Sequence, residues 1–316
     1  YAFLDYFQEG NLSYMKRVVG AGAKYACAIV KVTAGGSTVI APITSGLSSP
    51  DIPDWDNLVG AGETPLFLIY PARGPGSYAE NNGFTIVSDN LEAPSGLTVG
   101  SDITGGSLTA ATYTYSVSAV SRNGETLATT PVTIIIGSAT TTNVANLSWN
   151  AVPNAIGYKI YGRVGPTLGY VAQVGATTTS FVDDGSYTID SSKTPITSPS
   201  ALPAPSSVFT LRMFDTDVSS SVPLESFQVS MFDQTDETGV QMEIEQRINR
   251  FSKYFRVVSN FPALLTVPTV RSTTSVVNLD GGDSGAAPTS SDINAAWDLF
   301  KNKEKYKVDV LVNAGR

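Results

Sequence analysis

Residues Thr112 to Val120 read Thr-Tyr-Thr-Tyr-Ser-Val-Ser-Ala-Val. A strict alternation of this length puts apolar and small polar side chains on opposite faces of an extended chain, and no helix can segregate them that way. Asn123-Gly124 follows as a hairpin-turn signal, and Val-Thr-Ile-Ile-Ile (132–136) is the expected partner strand. Asn-Leu-Ser-Trp-Asn (146–150) and Gly-Tyr-Lys-Ile-Tyr (157–161) continue the series at the spacing of a β-sandwich. Throughout 89–204, Thr, Ser, Gly, Val and Tyr dominate, charges are few and no helical period appears. The edges are Pro-rich, Ala-Pro-Ser-Gly (93–96) and Ala-Leu-Pro-Ala-Pro-Ser (201–206), as expected of a module inserted in a loop of another domain.

The flanks read differently. Phe3, Leu4 and Phe7 suggest a short aromatic helix, Gly10-Asn11 a turn, and Tyr14 to Val19 a strand. Leu-Phe-Leu-Ile-Tyr (66–70) and Gly-Phe-Thr-Ile-Val (83–87) have the length and flanking Pro or Gly of buried strands, with 71–78 a loop between them. After the sandwich, 208–214 and 226–232 alternate like a strand pair. Val240, Ile244, Ile248, Phe251 and Phe255 then fall at helical spacing, with Glu243 and Arg247 placed to pair at i,i+4. A second helix is predicted after Pro288, capped by Ser290, Ser291 or Asp292, with the apolar stripe Ile293, Ala296, Trp297 and Phe300 and with Lys301, Lys303 and Lys305 at its end. A strand at 308–312 follows. The expected fold class is an α+β or α/β core, residues 1–88 and 205–316, interrupted by an all-β sandwich over 89–204 and β-rich overall.

Composition narrows the chemistry. The chain has 316 residues, 42% hydrophobic and 15% charged, with a net charge of −8 and no histidine. The absence of imidazole removes the commonest general base and the commonest neutral metal ligand. The acidic balance, with no Lys/Arg-rich run, opposes nucleic-acid binding. Cys27 is the single cysteine, so neither an internal disulfide nor a cysteine metal cluster can form, and its apolar neighbours predict a buried thiol. No apolar run approaches the ~20 residues of a membrane span. The chain opens on Tyr1 and closes at Arg316 just after the strand predicted at 308–312, which reads as a piece of a longer polypeptide.

Several strings mimic active-site motifs. Gly-Gly-Asp-Ser-Gly (281–285) contains the serine-protease string, yet the serine would lack a histidine, and no lysine is singled out as a replacement base. Gly-Ala-Gly-Ala-Lys (20–24) lacks the spacing of a phosphate loop and reads as a turn. Asp-Gln-Thr-Asp-Glu-Thr-Gly (233–239) lacks the alternating ligands of a calcium loop and reads as an acidic hairpin tip. Asp183-Asp184 and Asp215/Asp217 are paired carboxylates that read as turn residues. No catalytic, cofactor-binding or metal-ligating residue is therefore assigned, no cofactor is expected, and the chain is read as a non-enzyme.

The sandwich pieces Leu147 to Trp149, Gly157 to Tyr161 and Thr112 to Val120 with Asn123-Gly124-Glu125 resemble fibronectin-type-III-like modules, although there the Tyr-rich strand follows the Trp strand and here it precedes it. The flanks resemble the tail sheath proteins of contractile bacteriophages. The matching stretches are collinear: 2–19; the loop 74–86, with Tyr78 where the family has Trp; Glu225 to Ser230; 243–258; and Leu279 to Gly285, followed by 291–300 and 308–315, with Ser284 intervening and Ala314 in place of Pro.

That resemblance implies a structural subunit of the virion, assembled in the host bacterial cytoplasm. It would stack in six-fold rings around an inner tail tube, contact tube, baseplate and tail terminator proteins, and contract to drive the tube through the host envelope. No nucleic acid, membrane insertion or cofactor is implied. In that family, extended arms at the chain ends add strands to neighbouring subunits. The alternative from another class is a phage or cell-surface adhesin whose sandwich binds carbohydrate or protein.

Overall fold

A computed structural model describes residues 18–137, 141–163, 168–260 and 269–298. The predicted aromatic helix, most of the Tyr14–Val19 strand, Phe300, the lysines at 301–305 and the strand at 308–312 lie outside these residues. Of the described residues, strand accounts for 39% and helix for 10%, in several antiparallel sheets.

The chain runs through β1 (Ala28–Val32), β2 (Thr38–Pro42), a single helical turn α1 (Trp55–Leu58), β3 (Thr64–Pro71) and β4 (Asn82–Val87). Next come β5 (Thr98–Asp102), β6 (Ala111–Ser121), β7 (Gly124–Glu125), β8 (Val132–Ile136), β9 (Val144–Ser148), β10 (Gly157–Arg163), β11 (Gly169–Gly175) and β12 (Ser180–Asp183). The described residues finish with β13 (Val208–Asp215), β14 (Glu225–Ser230), α2 (Ile244–Phe251), β15 (Phe255–Ser259), β16 (Val277–Asn278) and α3 (Ser290–Asp298).

Two four-stranded sheets, ordered β15-β3-β1-β2 and β14-β13-β4-β16, hold the strands before residue 88 and after residue 207. They share one core: Val30, Phe67, Ile69 and Val257 from the first meet Phe84, Phe209, Leu211 and Val229 from the second, with Ile244 and Ile248 of α2. The other face of the first sheet is also covered, Cys27, Ile29 and Leu68 packing under Trp55 and Leu58. Burial on both faces explains why β3 is apolar without alternation: Leu66, Phe67, Leu68 and Ile69 are all fully buried. Each such side chain is worth about 1.5–3 kcal/mol of transfer free energy.

Every ladder between these strands is antiparallel, so the flanks are α+β and not a parallel α/β unit. α1 and α2 cover sheet faces and do not serve as crossovers.

Between them, residues 98–183 build a sheet β11-β10-β6 with β7 and β8 on the far side of β6, and a three-stranded sheet β12-β9-β5. Tyr113, Tyr115 and Val117 of β6 meet Ala145 and Leu147 of β9, with Ile160 and Phe181, in a single core. This is a β-sandwich. The Asn123-Gly124 signal closes the chain onto β7 first, Ser121 facing Gly124, and the predicted partner β8 then pairs with the first half of β6, Ala111 opposite Ile136. Between these ladders Thr126 and Thr129 keep the strand attached through backbone bonds to Ala119 and Val117. The Tyr-rich β6 precedes β9 in the chain and lies beside β10, Tyr158 opposite Ala119.

The chain leaves and re-enters the flanking sheets at one place. Val87 of β4 faces Thr210 of β13, and just beyond them the Asn90 amide donates to Ser206 O (2.7 Å) while its oxygen accepts from Ser206 N (2.8 Å).

Three local readings need correction. The helix predicted from Val240 to Phe255 covers only 244–251. Ser252 ends it: its N–H donates to Ile248 O, and its hydroxyl accepts from the N–H groups of Tyr254 and Phe255, which redirects the chain so that Phe255 opens β15. Glu243 and Arg247 do not pair. Glu243 is the N-cap, accepting from Glu245 N and Gln246 N, while Arg247 reaches Asp236 at 3.2 Å. The last helix is capped one residue earlier than predicted, by Thr289, whose hydroxyl accepts from Asp292 N as Asp292 accepts from Thr289 N, a reciprocal capping box.

Candidate functional site

The Gly-Gly-Asp-Ser-Gly string at 281–285 lies where four loops meet. Asp283 exchanges backbone hydrogen bonds with Lys24 (2.8 and 3.0 Å), Cys27 N donates to Asp280 O (2.8 Å), and Ala286 N donates to Ala21 O (3.0 Å). From the other side Tyr25 pairs with Leu47, and Gly76 N donates to Lys24 O (2.9 Å). Backbones this close leave no room for side chains. A Cβ on Gly46 would stand 1.9 Å from Gly281 O, and one on Gly281 would stand 2.1 Å from Gly46 N. Gly46 and Gly281 also hold left-handed φ of 57° and 76°. The glycines are there for packing.

Ser284 is exposed in this junction. The adjacent Asp283 carboxylate accepts from Gly285 N at 2.8 Å and closes its own turn. Lys24, brought alongside by the backbone pairing, sends its ammonium to Ser45 O at 2.8 Å. Gly20 to Lys24 form the predicted turn, with Gly22 at φ 80°. Cys27 is fully buried beneath the junction, and burial pushes its thiol up to about 12.

The remaining carboxylates separate by environment. Asp236 ties a hairpin tip: it accepts from the Thr238 hydroxyl (2.6 Å) and amide and from Val240 N, with Arg247 beside it. These bonds, that of the Thr238 hydroxyl first, hold its carboxyl down at about 2. Asp215 accepts from Asp217 N, and Asp217 pairs with the Asn81 amide, both as turn residues. Among the described residues no group of three His, Cys, Asp or Glu could hold a metal ion, and no helix is long and apolar enough to cross a membrane.

Asp183 is not a turn residue. It is fully buried at the end of β12 and bridges the two sheets of the sandwich. Arg163 of β10 donates to it twice, and the Tyr115 hydroxyl of β6 donates to the same carboxylate at 2.9 Å. The Tyr115 ring reaches it by crossing Gly162, where a Cβ would stand 2.3 Å from the ring. Burial and the neighbouring Asp183 charge hold the Tyr115 hydroxyl far above the usual tyrosine range, so it stays a donor. Glu125 makes a second network on the outer face of the same sheet, accepting from Ser118, Lys159 and Tyr161.

Sequence reasoning missed both networks. The signal for Asp183 was present: in Ser-Phe-Val-Asp (180–183) the period of two puts Asp183 on the same face as the core residue Phe181. Searches against protein-family models and against curated proteins find no match.

Proposed function

We propose that this chain is part of a structural subunit of a contractile phage tail sheath, in which the flanking sheets form the lattice body and the 98–183 sandwich is an outward decoration. The observation that carries this reading is the convergence of the sheath-like stretches. Residues 74–86, 225–230, 243–258 and 279–285, far apart in sequence, pack on the two facing sheets and the glycine junction, while the sandwich strands form a separate core.

Such a body suits the proposed mechanics. Contraction in this scheme exchanges one subunit packing for another of lower free energy, with each subunit moving as a near-rigid unit. Sheets joined by antiparallel ladders and by loops locked backbone to backbone resist internal deformation, so displacement falls on the contacts between subunits. No chemical step or cofactor enters.

Sedimentation velocity tests assembly. The full-length polypeptide should sediment as a polymer at micromolar concentration, while the 316-residue chain alone should remain monomeric. A monomer in both cases would overturn the proposal.

A further inference from the structure

The sandwich and the flanking sheets meet without a common core: among the described residues, no side chain belongs to both apolar clusters. A cavity of about 260 Å³ lies between Val152 and Pro153 of the sandwich and β2 with residues 271–275, so packing alone leaves the sandwich room to tilt. Hydrogen bonds cross this joint instead. Asn154, in the turn before β10 and at a left-handed φ of 64°, donates to Ser88 O at 2.8 Å. Asn123, at the tip of the β6–β7 hairpin, donates to Ala204 O at 3.0 Å and reaches the Asn90 amide oxygen at 3.4 Å. The acceptors belong to a fixed platform. Ser88 O also accepts from the Ser272 hydroxyl (2.9 Å), and the Asn90 amide, besides its bond to Ser206, donates to Val270 O (3.0 Å). Gly124 lies so close to the second linker that a Cβ there would stand 2.9 Å from Pro203.

We propose that Asn123 and Asn154 form a latch that fixes the sandwich in one orientation, so that it turns with the flanking sheets as a single body. Asn154 grips the segment leaving β4, and Asn123 grips the segment entering β13, from different turns of the sandwich. Two separated contacts set an angle where one would leave a pivot. Asparagine suits both places, since it tolerates left-handed backbone and brings two donors on a short side chain. With the latch open, the sandwich swings about residues 88–90 and 204–206 while each part keeps its own core. The latch stands independently of the sheath reading; within that reading it carries the displacement of the lattice body to the sandwich.

The test is a set of residual dipolar couplings on the whole 316-residue chain, ¹⁵N-labelled and deuterated. In the unaltered protein one alignment tensor should fit the amides of both parts. The double variant Asn123→Asp with Asn154→Gly sets a carboxylate against two acceptor oxygens, removes the other amide and keeps the left-handed turn. It should need two tensors, the one for the sandwich smaller in magnitude, while unchanged shifts of core amides such as Phe67 and Tyr115 show both parts folded. Asn123→Ala with Asn154→Gly takes its place should the first pair fail to fold. Two tensors in the unaltered protein, one shared tensor in a folded double variant, or loss of a core in both double variants would each overturn the latch.

Discussion

Arg163 grips Asp183 across the interior of the sandwich with two parallel bonds, Nε at 2.9 Å and a terminal nitrogen at 2.8 Å. The carboxylate is fully buried and the guanidinium partly so. Removing one partner leaves the other charge uncompensated in a medium of low polarity. Asp183→Ala should therefore destabilise the protein by about 3–5 kcal/mol, whereas Tyr115→Phe, which removes one of the donors to that carboxylate, should cost about 1.5–3 kcal/mol. Replacing the pair together, Asp183→Leu with Arg163→Met, should recover most of the loss. Urea denaturation of the four proteins gives the comparison, and equal losses for Asp183→Ala and Tyr115→Phe would contradict the buried-charge account.

Gly46 and Gly22 both hold left-handed φ, 57° and 80°, but only Gly46 has backbone against it. Gly22→Ala should cost about 1–2 kcal/mol, the conformational term alone. Gly46→Ala must in addition push the 281 loop away, and should lower the urea midpoint far more or prevent folding. Similar midpoints for both variants would show that the junction yields easily.

Asp236 predicts an acid-side effect. Its folded-state value of about 2 lies below the ordinary 3.8, so the unfolded chain binds the proton more readily. The contribution to stability is present above pH 4 and is lost as pH falls from about 4 to 2. Asp236→Asn should flatten the stability profile in that window. Hydrogen-exchange protection at Thr238 and Val240, whose amides bond to this carboxylate, taken relative to the intrinsic exchange rate at each pH, should fall over the same range in the unmodified protein.

The adjoining Val87–Thr210 register and the Asn90–Ser206 bonds predict that residues 89–204 can be removed. A short loop joining 88 to 205 should leave a soluble, cooperatively folding protein, and the isolated segment should also unfold cooperatively. Circular dichroism during thermal melting of both pieces decides. An insoluble remainder together with a non-cooperative segment would reject the insertion reading.

How much of this could be read from the residues varied with how local the cause was. The strands β3, β4 and β6 were legible because a buried run between Pro and Gly, or a clean alternation, leaves few other conformations. The helix at 244–251 was over-read at both ends because five apolar residues kept helical spacing. The hydroxyl of Ser252, which ends the helix by bonding to Tyr254 and Phe255, carries no periodic signal. The glycines of 281–285 could be dissociated from protease chemistry by the lack of histidine, but their partners Gly46 and Gly76 are more than 200 positions away, and only the fold brings them together. Asp183 was obscured by Asp184-Gly185, a turn signal immediately after the strand end.

Electron microscopy of the full-length polypeptide expressed alone tests the central claim most directly. The account predicts hollow tubes or stacked rings with six-fold symmetry in end views, with the sandwich projecting outward. Dispersed globular particles across protein concentration and ionic strength, with neither rings nor tubes, would contradict it.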